Sequence, residues 1–466
     1  MSPTTPTCDV RVERSRRGAR ARARRRAQRG FTLIELTIAL LAGLIVALAI
    51  MGLSRDSTRT FHEEMRASSA EANLRTAVDR LRSDLSRAAY MSTGDIQNDP
   101  MIARAPGAGV VPGFAGLSQL SAIQLFPATS AVNGLTLSGR NGVDPVALQI
   151  GGNMTSTDQF AGSLQPAVAG GCEQIFLNPQ TPAMFRVLNS ASPASELNNL
   201  FQPVPNGVNA QFMVRVFDKS GHSQFLVTCP GVPTGLLGGA PNWQPFVLVA
   251  PATPVLTAKD TNGVSSLTGF SSGDLWVNPV QIVRWEIMAA ANEPAQYTSS
   301  PLGGQPLAPT LIDPTKYDLV RSYVDAVSGL AIPQTTEIIA EYAVDFDVAF
   351  SVDNGVGTLA PNLVTFPFDD PQNALSAPKA PLANPAAITG PARIRSVRAR
   401  LVTRTAQADR TLNVAVPGNA GTFMYRYCIL PGGCDPVNAT GVLQYARART
   451  LTIEVALSNQ SRSYFF

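Results

Sequence analysis

The stretch "GFTLIELTIALLAGLIVALAIMGL", residues 30–53, holds a long apolar run from Phe31 to Leu53 directly after an arginine-rich segment. A helix that spans a membrane needs about 20 predominantly apolar residues, so the run is long enough to cross one. It is too long for the apolar part of a cleaved secretory signal, and no small-residue cleavage site follows it. We therefore predict that residues 31–53 form a transmembrane helix that stays in the mature protein.

Positive charge is concentrated before this run. Residues 1–30 contain ten arginines against two acidic residues, whereas the rest of the chain carries 27 basic and 31 acidic side chains. Basic residues that flank a span remain on the cytoplasmic side of the membrane. We interpret residues 1–30 as a basic leader and cytoplasmic anchor rather than as a nucleic-acid-binding arm, and we expect no nucleic-acid partner.

Glu35 is the one charged side chain inside the apolar run. An ionisable group within a membrane is by default functional, and its partner must come from elsewhere because the run contains no lysine or arginine. Cleavage between Gly30 and Phe31 would create an α-amino group one helical turn from Glu35, on the same face of the helix. An acidic side chain is also favoured in the first turn of a helix.

The segment "RGFTLIEL", residues 29–36, resembles the class III signal of type IV pilins and pseudopilins. In that signal a basic leader ends in glycine, and an apolar helix follows with phenylalanine first and glutamate fifth. The resemblance implies that a prepilin peptidase cuts after Gly30 and methylates the amine of Phe31. It also implies that Glu35 pairs with the N-terminal amine of a neighbouring subunit in a filament.

The helix is predicted to continue beyond the membrane as an amphipathic half, residues 54–91. No proline interrupts it, and good helix formers are abundant. We expect its apolar stripe to pack on the chain's own globular domain, with a dimeric coiled coil as the alternative. The stripe has a 4-3-4-3 spacing on one face and comprises Leu74, Val78, Leu81, Leu85 and Ala88.

After Tyr90 the sequence changes to short apolar runs separated by Gly, Pro, Ser and Asn, with almost no helical periodicity. The predicted fold is therefore α+β, a long N-terminal helix packed on a large antiparallel β-rich domain. We divide that domain into a first half or insertion, residues 92–270, and a C-terminal half, residues 271–466. Strands are predicted at 121–126, 145–150, 173–177, 280–289, 337–353, 393–405 and 446–459, with a hairpin at 211–229.

Four cysteines follow the leader: Cys172, Cys229, Cys428 and Cys434. The region beyond the span is expected to lie outside the cytoplasm, where disulfides persist. Three pairings are possible. The Pro and Gly residues of "CILPGGC", residues 428–434, favour a short loop closed by Cys428 and Cys434, which leaves Cys172 with Cys229.

Motifs of catalysis and cofactor binding are not recognisable in the sequence, which contains no P-loop, dinucleotide fingerprint, nucleophile elbow or metal-ligand cluster. We therefore expect no enzymatic activity, no catalytic residues, no cofactor and no metal. Asp345 and Asp347 alternate along a predicted strand, so a cation site there is conceivable, but we favour an exposed strand face. The same interpretation is given to the arginines of the next strand, Arg393, Arg395, Arg398 and Arg400.

The C-terminal half also resembles, more loosely, the PilW-type minor pilins. The segments that carry the resemblance are "QIVRWEIM", "IIAEYAVDFDVAFSVDN", "IRSVRARLVTRTAQADR" and "YARARTLTIEVALSNQ". This implies a single-pass precursor in the cytoplasmic membrane with its C-terminal domain outside, later part of a pilus at the cell surface. Implied roles are pilus assembly initiation or a tip complex, in twitching motility and adhesion. Implied partners are the prepilin peptidase, the major and other minor pilins through the helix, and a tip adhesin.

Two alternatives stay open. A minor pseudopilin of a type II secretion system, most like the J subunit, would share the leader and the helix. An adhesin displayed at the tip of a pilin stalk would place its binding activity in the large β-rich region.

Overall fold

The computed structural model describes residues 32–97, 99, 101–102, 114–126, 145–168, 172–205, 207–218, 221–239, 242–250, 275–298, 313, 315–353, 363–368, 391–408, 426–429 and 445–460. Within these residues the chain is α+β, as predicted, with a long N-terminal helix and a large antiparallel β-rich region. It divides into two compact units, Met1–Met65 and Arg66–Phe466, which are described separately.

Helix α1 extends over Leu33–Ser86. In the first unit its side chains from Leu33 to Thr58 are exposed, and this apolar segment is long enough to cross a membrane. In the second unit the helix ends where Ala89 adopts a left-handed φ of 57°. The side chain of Asn459 donates a hydrogen bond of 2.9 Å to the carbonyl oxygen of Ser86, one of the carbonyl groups that a helix leaves unpaired at its end.

Four shorter α-helices follow α1 in the described part of the chain. They are α2 Ala115–Ser118, α3 Pro182–Leu188, α4 Pro193–Phe201 and α5 Ala295–Thr298. The sequence analysis expected almost no helix here, and α3 and α4 correct that expectation. Each begins with proline, and Thr181 caps α3 by accepting a hydrogen bond from the Met184 amide. With seven and nine residues, they are too short to show a clear helical period.

Sixteen strands lie in the described residues. They are β1 Ile123–Phe126, β2 Ala147–Gly152, β3 Phe160–Val168, β4 Cys172–Leu177, β5 Met213–Phe217, β6 Ser223–Val227, β7 Thr234–Leu237, β8 Gln244–Val249, β9 Leu275–Ala289, β10 Tyr317–Tyr323, β11 Glu337–Ala340, β12 Ala343–Asp353, β13 Leu363–Thr365, β14 Ile394–Arg404, β15 Arg426–Cys428 and β16 Tyr445–Ala456. The hairpin predicted at 211–229 is confirmed as the antiparallel pair β5 and β6. The single strand predicted at 337–353 is instead β11 and β12, because Tyr342 between them takes a left-handed φ of 55°.

The strands form two antiparallel sheets. The large sheet has eleven described strands, and seven of them follow the order β1-β2-β9-β3-β4-β8-β7. In addition, β10 pairs with β9 and carries β11 on its other side, and β5 pairs with β9 and carries β6 on its other side. The small sheet has the order β13-β12-β14-β16-β15. Because β9 follows residue 270 and pairs with β2, β3, β5 and β10, residues 92–270 and 271–466 share one sheet.

The largest hydrophobic core joins the second part of α1 to both sheets. All five residues of the predicted stripe, from Leu74 to Ala88, are buried in it. Trp285 on β9 and Phe346 and Phe350 on β12 pack in the same cluster. The helix therefore packs on its own domain, as the sequence analysis expected, rather than needing a second helix to cover its stripe.

Candidate functional site

The N-terminal end of α1 is closed by two residues that bond to each other. The Glu35 carboxylate atom Oε2 accepts hydrogen bonds from the Thr32 amide at 3.0 Å and from the Thr32 hydroxyl at 3.2 Å. The Glu35 amide donates in return to Thr32 Oγ1 at 3.3 Å. This reciprocal arrangement is a capping box, which satisfies amide groups that have no partner inside the helix. Thr32 is thus a residue of the site that the sequence analysis missed, although the T-x-x-E spacing was visible.

The geometry fixes what Glu35 can do. Its carboxylate is anchored at the first turn of the helix, where the helix dipole favours a negative charge. The hydrogen bonds within the described chain reach Oε2 alone, so Oε1 is available to a donor outside it. The side chain is exposed, as are the apolar residues that follow it. A cation brought to this end of the helix would find an oriented carboxylate.

The apolar half of α1 presents a face of small residues. Ala39, Gly43 and Ala47 follow one another at intervals of four, so they lie along one side of the helix. A Cβ added at Gly43 would meet no atom within 4 Å. Small residues spaced in this way allow helices to approach closely in a membrane.

The second part of α1 is fixed to the large sheet by a buried ion pair. Asp84 Oδ2 lies 2.6 Å from Arg321 Nε on β10 and also accepts a hydrogen bond of 2.9 Å from Trp285 Nε1 on β9. Burial disfavours the charge of Arg321, but Asp84 more than compensates and raises the pKa of Arg321 above its ordinary value. The sequence analysis missed all three residues, because no local spacing connects positions so far apart in the chain.

The predicted processing residues Gly30 and Phe31 lie outside the described residues, so their roles stay predictions. Cys172 and Cys229 form a disulfide with a Cα–Cα distance of 6.4 Å, which is the pairing that the sequence analysis favoured. Cys428 is disulfide-bonded as well. Its expected partner, Cys434, is not among the described residues.

The strand with Asp345 and Asp347 does not present an exposed face, which corrects our sequence interpretation. Both carboxylates are buried and point towards Arg400 on β14. Arg400 Nε lies 3.3 Å from Asp345 and Arg400 Nη2 lies 3.0 Å from Asp347. The guanidinium group also stacks on the ring of Phe368, at 5.0 Å from its centroid. The arginine therefore supplies the cation between the two carboxylates.

A second buried charge cluster lies beside the start of β10. Asp318 is fully buried, and the Lys316 amine lies 3.0 Å from it and 2.7 Å from Glu341. Burial raises the pKa of Glu293 to about 8, and its hydrogen bond and charge repulsion with Asp318 act in the same direction. Glu293 therefore binds a proton more tightly than an exposed carboxylate does. Among the described residues, no group of three or more His, Cys, Asp or Glu side chains is arranged to hold a metal ion.

Comparison with known proteins gives one match. The model of the family described as "Prokaryotic N-terminal methylation motif" matches residues 25–51, which include Gly30, Phe31 and Glu35. The match and the apolar helix indicate a type IV pilin-like or pseudopilin protein that is anchored in a membrane. No curated protein and no solved structure matches the chain significantly.

Proposed function

We propose that this protein is a minor pilin of PilW type, which contributes to the initiating or tip complex of a type IV pilus. The observation that carries the proposal is the N-terminal end of α1. There the only charge of an exposed 21-residue apolar segment, Leu33–Leu53, is an oriented carboxylate within the methylation motif. A carboxylate is costly in hydrocarbon unless it is paired, so its place in this segment favours a partner from another chain.

In this proposal the precursor is inserted in the cytoplasmic membrane with residues 66–466 outside. A prepilin peptidase removes residues 1–30, and the new amine of Phe31 is methylated. Glu35 then pairs with the N-terminal amine of a neighbouring major or minor pilin, which neutralises two charges in the apolar interior of the filament. The small face of Ala39, Gly43 and Ala47 allows the helices to pack closely.

The test separates the charge of Glu35 from its role as a helix cap. Glu35→Gln keeps an acceptor oxygen for the Thr32 amide but removes the negative charge, whereas Thr32→Val removes the capping hydroxyl and keeps the charge. We expect Glu35→Gln to be cleaved normally, as shown by mass spectrometry of the membrane-extracted protein. Its amount in sheared pili should fall at least about tenfold, since a lost charge pair of about 1.4 kcal/mol already has that effect.

Thr32→Val serves as the matched control and should enter pili at close to the wild-type level. Within the described chain the Thr32 hydroxyl bonds only to Glu35, so its loss costs the end of a 54-residue helix about 1 kcal/mol and leaves the negative charge for the neighbouring amine. Normal incorporation of Glu35→Gln into pili would refute the assembly role.

Gly30→Leu should block cleavage, so that the extracted protein keeps the mass of its leader.

The alternative, a J-like minor pseudopilin of a type II secretion system, shares the methylation motif and the helix. A strain that lacks the protein distinguishes the two functions. Loss of surface pili and twitching with normal protein secretion supports the pilus. Loss of secretion with normal pili supports the pseudopilin.

A further inference from the structure

A cleft opens on the large sheet where β3, β4 and β8 lie side by side, on the face turned away from α3 and α4. Phe176 on β4 is directly opposite Ser163 on β3 and Phe246 on β8. Their neighbours on these strands, such as Ile175 and Val247, point the other way into the core with α3 and α4. The cleft has a volume of about 370 Å³ and is open to solvent. We call it the β4 cleft.

The apolar part of the β4 cleft is a phenylalanine ring that is held in place. The rings of Phe176 and Phe246 pack edge to face, with 6.3 Å between their centroids and 62° between their planes. The Phe246 ring in turn lies over Gly235 on the edge strand β7, where a Cβ would collide with it. Phe176 is only half-buried, and Pro179 lines the same cleft. The sheet therefore presents a positioned apolar surface that a ligand can reach.

Neutral polar side chains line the cleft together with this ring. They are Ser163, Asn178 and Gln244, of which Asn178 and Gln244 are exposed. Asn178 Oδ1 accepts a hydrogen bond of 2.9 Å from the Gln180 amide, which orients the carboxamide and leaves its Nδ2 group as a donor. Hydroxyl and carboxamide groups both donate and accept hydrogen bonds. None of the described residues that line the cleft is charged.

This combination of groups narrows the class of ligand. A charged ligand, such as a nucleotide, would lose hydration without gaining a counter-charge from the described lining. A purely apolar ligand would cover the three polar side chains without bonding to them. A sugar ring has an apolar C–H face, which the face of an aromatic ring attracts, and hydroxyl groups at its edge that bond to amides and hydroxyls.

The size of the cleft limits the length of such a ligand. Small-molecule sites have volumes of about 300–1,000 Å³, and the β4 cleft is near the lower end of that range. It therefore has room for one or two sugar rings rather than for a long chain.

We propose that the β4 cleft binds a neutral mono- or disaccharide. The sugar ring packs against Phe176, and its hydroxyl groups bond to Ser163, Asn178 and Gln244. This goes beyond the role in a pilus or pseudopilus and does not depend on it, because no residue of α1 is among the described residues that line the cleft.

The test uses the full-length protein, purified in a zwitterionic detergent because sugar-headed detergents would compete for the site. Saturation-transfer NMR with glucose, galactose and N-acetylglucosamine detects binding, and titration gives the dissociation constant. We expect at least one of these sugars to bind. Gln244→Ala should weaken its binding several-fold, since the variant removes a hydrogen-bonding carboxamide at an exposed position where folding is not at risk. The matched control is Gln334→Ala, at an exposed glutamine before β11 that does not line the cleft, and it should bind like the wild type.

Two further measurements test the site and the class of ligand. Ser163→Ala removes one hydroxyl group and should also weaken binding several-fold. Glucosamine and glucuronate, which carry a charge, should bind several-fold more weakly than the best neutral sugar.

The proposal is overturned if none of the three neutral sugars binds the wild-type protein at tens of millimolar concentration. It is also overturned if Gln244→Ala binds as tightly as Gln334→Ala, or if a charged sugar binds as tightly as the best neutral one. These results are independent of pilus assembly, which is measured in cells with Glu35 variants.

Discussion

Removal of the Asp84 carboxylate on α1 should be among the most destabilising single changes in the second unit, Arg66–Phe466. The side chains of Asp84 and Arg321 are 6% and 5% exposed, so Asp84→Ala leaves a guanidinium group buried without its counter-charge. The Trp285 indole loses its acceptor at the same time. Breaking a buried ion pair by removing one partner costs about 3–5 kcal/mol, and we expect a loss of unfolding free energy in that range.

Urea unfolding of the full-length protein in detergent, followed by tryptophan fluorescence, measures this loss, because Trp285 is fully buried beside Asp84. The control is Glu71→Ala on the same helix. The pair of Glu71 with Arg75 is exposed, and such a pair is worth no more than about 0.5 kcal/mol.

The double variant Asp84→Leu with Arg321→Met should cost less than either Asp84→Ala or Arg321→Met alone, because an apolar pair leaves no unpaired charge. If Asp84→Ala is no more destabilising than Glu71→Ala, the ion pair does not stabilise the contact between α1 and the large sheet. A double variant that loses as much unfolding free energy as Asp84→Ala and Arg321→Met together would also exclude a coupled pair.

Two further changes test other parts of the fold. The raised pKa of Glu293 means that the folded state holds this proton more tightly than the unfolded state, so its contribution to stability is lost as pH rises from about 4.5 to about 8. In thermal unfolding, Glu293→Gln should therefore become more stable relative to the wild type as pH rises through this window. The control Glu337→Gln, at an exposed position, should not. If the stability of both variants follows pH in the same way, Glu293 is not the group responsible. Cys229→Ser removes the disulfide that spans 57 residues, and the free energy of unfolding should fall by about 2–4 kcal/mol in the same assay. The loss is due to the disulfide if the variant is less stable than the wild type under oxidising conditions and equally stable under reducing conditions.

The parts of the structure that the sequence predicted are those with strong local signals. The apolar run, the 4-3-4-3 stripe of α1 and the alternation along β9, β14 and β16 each repeat over many residues, so the type of each element was predictable, and so was the burial of the stripe. The T-x-x-E box of Thr32 and Glu35 was missed, although its spacing is a local signal too, because capping depends on neighbours in the chain.

The features that the sequence did not predict depend on contacts between distant residues. Asp347 and Arg400 face each other only because β12 and β14 pair in one particular register. The buried polar residues Gln149 on β2, Arg284 on β9 and Ser322 on β10 lie opposite one another for the same reason. A strand with polar residues at every second position normally predicts a wet face, and nothing in the local pattern shows that this face is covered.

The central place of β9 has a consequence for the order of folding. Strands β2, β3 and β5 each pair with β9, which comes later in the chain than all three of them. As the chain is synthesised, these strands keep an unpaired side until residues 275–289 have emerged. Contacts between such distant segments form slowly, and unpaired strands invite association with other chains. A binding chaperone that shields the emerging strands should therefore raise the yield of folded protein, and truncation before β9 should abolish it.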